Sequence, residues 1–513
     1  MKFRVALIGL LWVGSTVISA QPDTLRVFSM EEVRKQNSWL EGDNPVGLSF
    51  NRIPSISIAE VSYVWSSGNL GVPVLPASAQ EYSVRSESYK KLGKVALYGQ
   101  LGYLQSRSKG QNWKGMTNDY WQSVNLCDSI SGRRRGETYH LEGAFSLPAG
   151  AKWVIGLQAG YRVETVAKDT DPRNKNQWSE YVINPGVGYR AGKYTWGMSL
   201  FYADRQETVD YQNMGTHAVY PVLQAYPLSF FKTISRDESV KWSYAGREVG
   251  GAMQLGYDKE GVRLFLQLSA NATVQHVESN KIQNRKEAES NSWQTGYVGK
   301  LQTSAGDNRH EWSMQLAYKE NDNYEPIQEQ ETNGVWRAEG KILRSTCKTG
   351  SCELTYEYWR MRDEWNPCLG VSAGIGYRYQ EKALLFYPVK YLQPLSRFTF
   401  HTTFFRSFVL SGAFINCSIG GRYGIGGGAL LKEQRLGTDE HTEKMKLWQD
   451  EARLQQDYDY QTANSLAMDC SVTYMRKNPL SWFVRLSGGY EYSDKCRSDG
   501  CNKKVIASIG LIF

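Results

Sequence analysis

Along most of this chain apolar and polar residues take turns. In Trp153–Val163 the odd positions carry Trp153, Ile155, Leu157, Ala159, Tyr161 and Val163, and the even ones Val154, Gly156, Gln158, Gly160 and Arg162. The same alternation recurs where Leu264, Leu266 and Leu268 oppose Arg263 and Gln267, and where Trp312, Met314 and Leu316 oppose Glu311 and Gln315. It returns where Trp482, Val484 and Leu486 oppose Arg485 and Ser487. Successive side chains of a strand point to opposite faces, so each segment predicts a strand with one greasy and one polar side. The stretch VIASIGLIF is the extreme case: Val505, Ala507, Ile509, Leu511 and Phe513 share a face without a polar side-chain atom. Such a face needs an apolar neighbour, either a core or a lipid.

Turn signals decide which. Short ones fall at Gly93, Pro148–Gly150, Gly192, Asp258–Gly261, Gly306–Asn308, Thr349–Gly350, Ser411–Gly412 and Asn478–Pro479. Longer polar stretches lie between them, at 108–136, 167–178, 208–239, 277–290, 322–332 and 428–460. Short turn and long loop in alternation is the rhythm of an outer-membrane barrel. A β-sandwich would divide into domains of about 100 residues, and a propeller would show a blade-length repeat; neither pattern is present. Twenty strand-like segments can be counted, but 383–392 is interrupted by Pro388, which cannot donate to a ladder. Dropping it together with one partner, to keep both ends on one side, leaves eighteen. The expected fold is therefore all-β, a transmembrane antiparallel β-barrel of about 18–20 strands (about 14–16 at the low end), with a short N-terminal helical or plug segment.

Composition agrees with this. Hydrophobic residues are only 41%, too few for a helical membrane protein, whereas aromatics reach 13%, with 32 Tyr and 16 Trp. The net charge of +8 is diffuse apart from Arg133–Arg135, so nucleic acid is not an expected partner. At the N-terminus Lys2 and Arg4 precede an apolar run to Ile18, and Ser19-Ala20 offers a small-residue cleavage site before Gln21. Three regions follow: 1–20 as an export signal, 21–53 as an N-terminal periplasmic or lumen-plugging segment, and 54–513 as the barrel. Within the second, Met30–Trp39 predicts a short helix following Ser29.

A final amphipathic strand ending in Phe513 resembles the assembly signal read by the barrel-insertion machinery of Gram-negative outer membranes. Just ahead of the first strand, Asn44-Pro45-Val46-Gly47-Leu48 resembles the lead-in of long-chain fatty-acid transporter barrels and their Bacteroidota relatives, although those barrels have fewer strands. As a whole the chain resembles the uncharacterised large outer-membrane barrels of Bacteroidota, which bring no settled activity with them. The segment before the first strand is too short for the folded plug of a TonB-dependent transporter.

Candidate chemistry lies on the polar strand faces. They place Lys152, Arg162, Glu164, Arg263, Lys300, Arg309, Glu311, Glu353, Glu357, Arg378, Arg422, Arg485 and Glu491 in the lumen, with both signs interspersed. Such charges can pair across strands, or filter solutes. In the loops, Trp113, Trp121 and Arg133, Arg134 and Arg135 are candidates for contacting glycans, lipopolysaccharide or a protein. Asp128-Ser129-Ile130 resembles a short O-glycosylation motif of Bacteroidota exported proteins. Cys347 with Cys352, and Cys496 with Cys501, bracket turn-like tetrapeptides and could close local disulfides in an oxidising compartment; no zinc set is present. His140 and Glu142 share an inward face as a satisfied pair or an acid–base pair. Ser345-Thr-Cys-Lys348 and Lys348-Thr-Gly350 share one lysine at a predicted hairpin, so they do not form the separated elements of a penicillin-recognising site. The expectation is a non-enzymatic barrel in a Gram-negative outer membrane, without cofactor or metal, passing a small solute past a gate of loops and N-terminal segment. Its expected partners are membrane lipid and lipopolysaccharide, the barrel-assembly machinery, and a surface lipoprotein or secretion component. A closed interaction barrel within a surface or secretion assembly is the alternative, and an outer-membrane hydrolase the second.

Overall fold

The computed structural model describes residues 30–513 apart from 36, 54, 119–123, 216–219, 236–238, 280–284, 333–335, 364–365, 438–445, 477–480 and 497–499. The expected export signal lies outside the described residues, as does Trp121. Eighteen strands close into one antiparallel barrel; a nineteenth, Lys432–Arg435, only extends the sheet beside Val389–Leu392. Closure joins the first barrel strand, Ser55–Gly68, to the last, Cys501–Ile512, in a register from Ile58↔Ile512 to Gly68↔Asn502. Phe513 then exchanges both backbone hydrogen bonds with Ser57, at 2.8 and 2.9 Å. The eighteen-stranded ring therefore has no open edge, as a sheet in hydrocarbon requires.

The alternation read from the sequence sorts inside from outside. Trp153, Ile155 and Tyr161 are exposed on the outer wall, as are Leu268, Trp312, Leu486 and Ile509, whereas Val154, Phe265, Phe483 and Ile512 are buried inside. Aromatic pairs border this apolar band at both ends. Trp153–Tyr189 (4.8 Å) and Tyr194–Tyr257 (5.1 Å) lie beside the short turns, and Tyr63–Tyr82 (4.9 Å) and Tyr103–Tyr139 (5.1 Å) toward the loops. The turn-end hairpins close through Gly150 and Gly192, whose φ of 90° and 62° a side chain would strain.

Three expectations need correction. The stretches on either side of Thr349–Gly350 are one strand, Trp336–Met361, so no turn lies there. Gly350 lies in register between Tyr318 and Tyr379, whose ladders on both sides hold it extended. The weak segment 383–392 is a hairpin tip: its residues divide between the strands Pro367–Phe386 and Val389–Leu410 around Tyr387–Pro388. The helix expected over 30–39 is two short ones, Met30–Lys35 and Ser38–Glu41, with Asn37 capping the second. Many strands also outrun the bilayer, Trp336–Met361 with 26 residues being the longest. About 9–11 residues cross a bilayer obliquely, so the remainder projects beyond it at the loop end.

There the loops build a cap. Asn125–Cys127, Val222–Ala225, Phe230–Ser235 and Trp448–Gln449 form a separate four-stranded sheet. Helix Glu451–Thr462 lies beside it, its first turn capped by the Asp450 carboxylate, which accepts from Arg453 N at 2.9 Å.

Candidate functional site

The lumen is occupied from the turn end by residues 30–50, folded back inside the barrel. Two asparagines shape this plug. Asn37 accepts from Trp39 N at 3.1 Å and donates to Phe50 O at 2.8 Å. Asn44 caps the 3₁₀ turn Pro45–Phe50 by accepting from Val46 N at 3.1 Å, and its Nδ2 reaches Gln254 Oε1 at 2.9 Å and Met198 O at 3.1 Å. Pro45 fits the first position of such a turn, where no amide hydrogen is needed. Gly47 packs so closely that a Cβ would stand 2.1 Å from Trp39 O. Asn44, Pro45 and Gly47 all lie in this turn or at its cap.

The wall receives the plug through glycines on its inner face. A Cβ at Gly256 would lie 2.7 Å from Trp39 Nε1, one at Gly156 3.0 Å from Val46 N, and one at Gly186 2.1 Å from Asn44 Oδ1. Trp39 is held edge-on by Phe50 (4.9 Å) and Phe265 (5.3 Å). On another wall Met30 and Val33 join a buried cluster with Ile56, Ile58, Tyr89, Phe414, Met475 and Phe483. Charged contacts complete the docking. Lys300 pairs with Glu41 and with Glu311 (3.7 Å), Arg309 with Glu311 (3.2 Å), and Arg34 with Glu87. Asp43 Oδ2 accepts from Gln267 Nε2 at 2.7 Å. Burial raises the carboxyl pKa of both Glu41 and Asp43, for Glu41 against the opposing pull of Lys300.

Among the spaces that remain around the plug are three lined by charged residues. At the turn end a cavity of about 940 Å³ is lined by Arg52, Arg190, Asp258, Arg263, Arg309 and Asp363. Deeper, about 600 Å³ is enclosed by Glu41, Asp43, Gln267, Lys300, Glu353, Arg378 and Thr399. A third, of about 380 Å³, lies among Arg34, Glu60, Arg85, Glu87 and Arg485. All three carry both signs of charge, so a polar or zwitterionic guest fits them better than an apolar one.

Most of the charges read from the sequence stand on lumen faces. Arg162 bonds Glu164 (3.0 Å), Glu357 accepts from Trp359 Nε1 (3.0 Å), and Arg485 lies 4.0 Å from Glu60. Arg378, Arg422 and Glu491 alternate with Tyr377, Tyr423 and Tyr490, which are exposed on the outer wall. Glu353 lies in the deeper cavity, and Arg263 sits at the rim, 3.6 Å from Asp258. Lys152 is misassigned: it occupies the turn before Trp153, where its carbonyl accepts from Arg190 N at 2.8 Å. Sequence reading missed Glu60, Arg85, Glu87, Glu180, Arg205 and Glu248, all available from the same parity once those strands are aligned. Arg205 bridges Glu180 and Glu248, at 2.6 Å to the latter. His140 stands 3.6 Å from Glu142 and 3.1 Å from Gln100, and Gln158 donates to Glu142 at 2.8 Å, so this pair is part of a hydrogen-bonded wall. Among the described residues, no group of three or more His, Cys, Asp or Glu could hold a metal ion.

The opposite end is closed by the cap. Met116, Leu126, Val222, Tyr226, Leu228 and Phe230 from the loops and Leu454 from the helix pack on inward-facing Trp178, Tyr211, Trp242, Tyr244 and Leu384 of the strands. Lys168 and Asp128 form a 2.5 Å ion pair at 0% and 1% side-chain exposure, with Tyr211 OH donating to Asp128 at 3.2 Å. Asp128 is therefore structural. Trp113 is also absorbed here, 5.3 Å from Phe231 and 3.9 Å beneath the Arg453 guanidinium. Arg133–Arg135 belong to no loop: they lie on strand Gly132–Ala149, which turns buried Arg134 inward onto Lys114 O and exposed Arg133 and Arg135 outward.

Neither expected disulfide is present. Cys347 and Cys352 are free thiols on opposite faces of one extended strand; five residues span roughly 17 Å, beyond bridging distance. Cys496 and Cys501 are likewise unbonded. The S-x-x-K coincidence disappears with the hairpin it was placed on.

Solved structures of similar shape include BauA, the ferric preacinetobactin receptor of Acinetobacter baumannii, with a TM-score of 0.40, 7% identity, and cover of 89% of this chain and 80% of that one. The outer membrane transporter YddB of Escherichia coli gives 0.40 and 7%, covering 90% and 81%; the copper transporter OprC gives 0.39 and 9%, covering 90% and 83%. No curated protein matches. Residues 45–513, from the plug's anchor through the last strand, match a single family profile, and the chain belongs to that family of unknown function, DUF6850.

Proposed function

We propose that this barrel is a gated outer-membrane transporter, closed at rest, that admits a small polar solute when the plug leaves its glycine niche and the cap loosens. One observation carries this reading: the lumen is stoppered at the turn end by a separate segment, docked by apolar packing, hydrogen bonds and ion pairs, and polar cavities of about 940 and 600 Å³ adjoin it. A purely structural barrel has no need of such spaces beside a detachable stopper. Loop end outward and turn end periplasmic is the orientation this requires.

The cap supports a second reading. Its own apolar core makes it a firm surface, as a closed interaction barrel in a surface or secretion assembly would need. Planar-bilayer recording separates the two. Wild-type protein is expected to be nearly silent, and Gly47→Ala combined with Asp128→Ala, which unseats the plug and removes the cap's buried ion pair, is expected to give steady ohmic steps. A silent double variant that is still folded would reject the gated path and leave the interaction barrel.

A further inference from the structure

The outer wall carries a basic patch that neither the lumen nor the cap uses. On strands Val95–Gln111 and Gly132–Ala149 the odd residues face outward, and Leu101, Tyr139 and Leu141 are exposed members of the lipid-facing band. Above the Tyr103–Tyr139 pair the register places Arg107 directly opposite Arg135, and Lys109 directly opposite Arg133. Lys175 stands across Ala167 from Arg135 in the same row, with Asp210 on its other side and Glu137 two residues from Arg135, so cations still outnumber carboxylates there. Like charges directly across a ladder repel, so strands normally avoid this. Among the described residues, only Arg133 of these five has an ion-pair partner, Asp169 at 3.1 Å. On the far wall, by contrast, Lys348 meets Glu320 at 2.9 Å.

Height identifies the occupant. Four residues along a tilted strand put the Arg107–Arg135 row roughly 10 Å above the tyrosine pair, where the aromatic girdle gives way to headgroups. A ligand covering both zones needs acyl chains below and several anionic oxygens above. Guanidinium forks fit phosphate oxygens in a bidentate way, and neighbouring forks fit a group bearing more than one. We infer that Arg107, Lys109, Arg133, Arg135 and Lys175 form a binding site for the phosphorylated headgroup of an outer-leaflet glycolipid. The site is independent of whatever the lumen carries.

The test uses full-length protein in nanodiscs of neutral lipid, titrated with lipopolysaccharide or with its enzymatically dephosphorylated form. Wild type is expected to bind the phosphorylated lipid at least tenfold more tightly. Arg107→Gln with Arg135→Gln should abolish most of that difference, and Lys348→Gln on the far wall should leave it intact. Equal binding of the two lipids, or no loss in a double variant that keeps the heat-shifted mobility of a folded barrel, would overturn the site. If the double variant does not fold, the wild type still decides: exposed charges are screened by salt, so affinity should fall steeply between about 0.05 and 0.5 M NaCl. Salt-independent binding would equally refute the proposal.

Discussion

Glycine and buried carboxylates set the terms on which the plug is held. Gly47 touches Trp39 O closely enough that even a methyl group cannot enter, so Gly47→Ala should release the plug and leave the barrel folded. Hydrogen exchange at residues 37–50 would report this directly. The carboxyls of Glu41 and Asp43 supply a pH dependence. Docking raises both pKa values above their ordinary range, mainly by burial, so docking takes up protons. The docked state is therefore most favoured below about pH 4 and loses stability as pH rises through the raised values. Trp39 fluorescence should show a more protected indole at acid pH, and Asp43→Asn should flatten the profile. A plug that tightens with rising pH would contradict this sign.

At the scale of elements, the cap is the part whose integrity can be tested alone. The Lys168–Asp128 pair is fully buried, and removing one partner leaves an uncompensated charge. Asp128→Ala should cost the cap about 3–5 kcal/mol, seen as protease cleavage in 112–131 while the barrel's heat-shifted mobility persists. The strands themselves were legible only where the two faces differ. Val262–Ser279 was readable because Leu264, Leu266 and Leu268 meet lipid and Phe265 and Gln267 meet the interior. The upper half of Asn308–Gln330 was not, because beyond the bilayer both faces are polar and the alternation disappears. Trp336–Met361 was cut in two for a different reason. Lys-Thr-Gly-Ser has the local chemistry of a turn, but its neighbours in the ladder overrule it.

For the whole molecule, the decisive boundary is the lipid band. Leu268 is 61% exposed on it, and Leu268→Arg should lower the free energy of refolding into vesicles by about 2–4 kcal/mol if it sits near the midplane. Urea titration of wild type and variant gives the difference. The comparison with Arg422→Leu is informative, because this side chain faces the wet lumen and its loss should cost far less. Equal penalties would mean that inside and outside had been exchanged.

The period-two pattern by itself determined a membrane barrel and which residues meet lipid. That requirement is met residue by residue and leaves its mark in local sequence. Only the tertiary structure decided how the lumen is closed. Asp43 meets Gln267 and Asn44 meets Gln254 across separations of 224 and 210 residues, and no local signal couples positions so far apart. The arginine triplet shows both limits at once. Its charge was evident in the sequence, but one strand splits it between the cap and the outer wall, and only the ladder register sets Arg107 against Arg135.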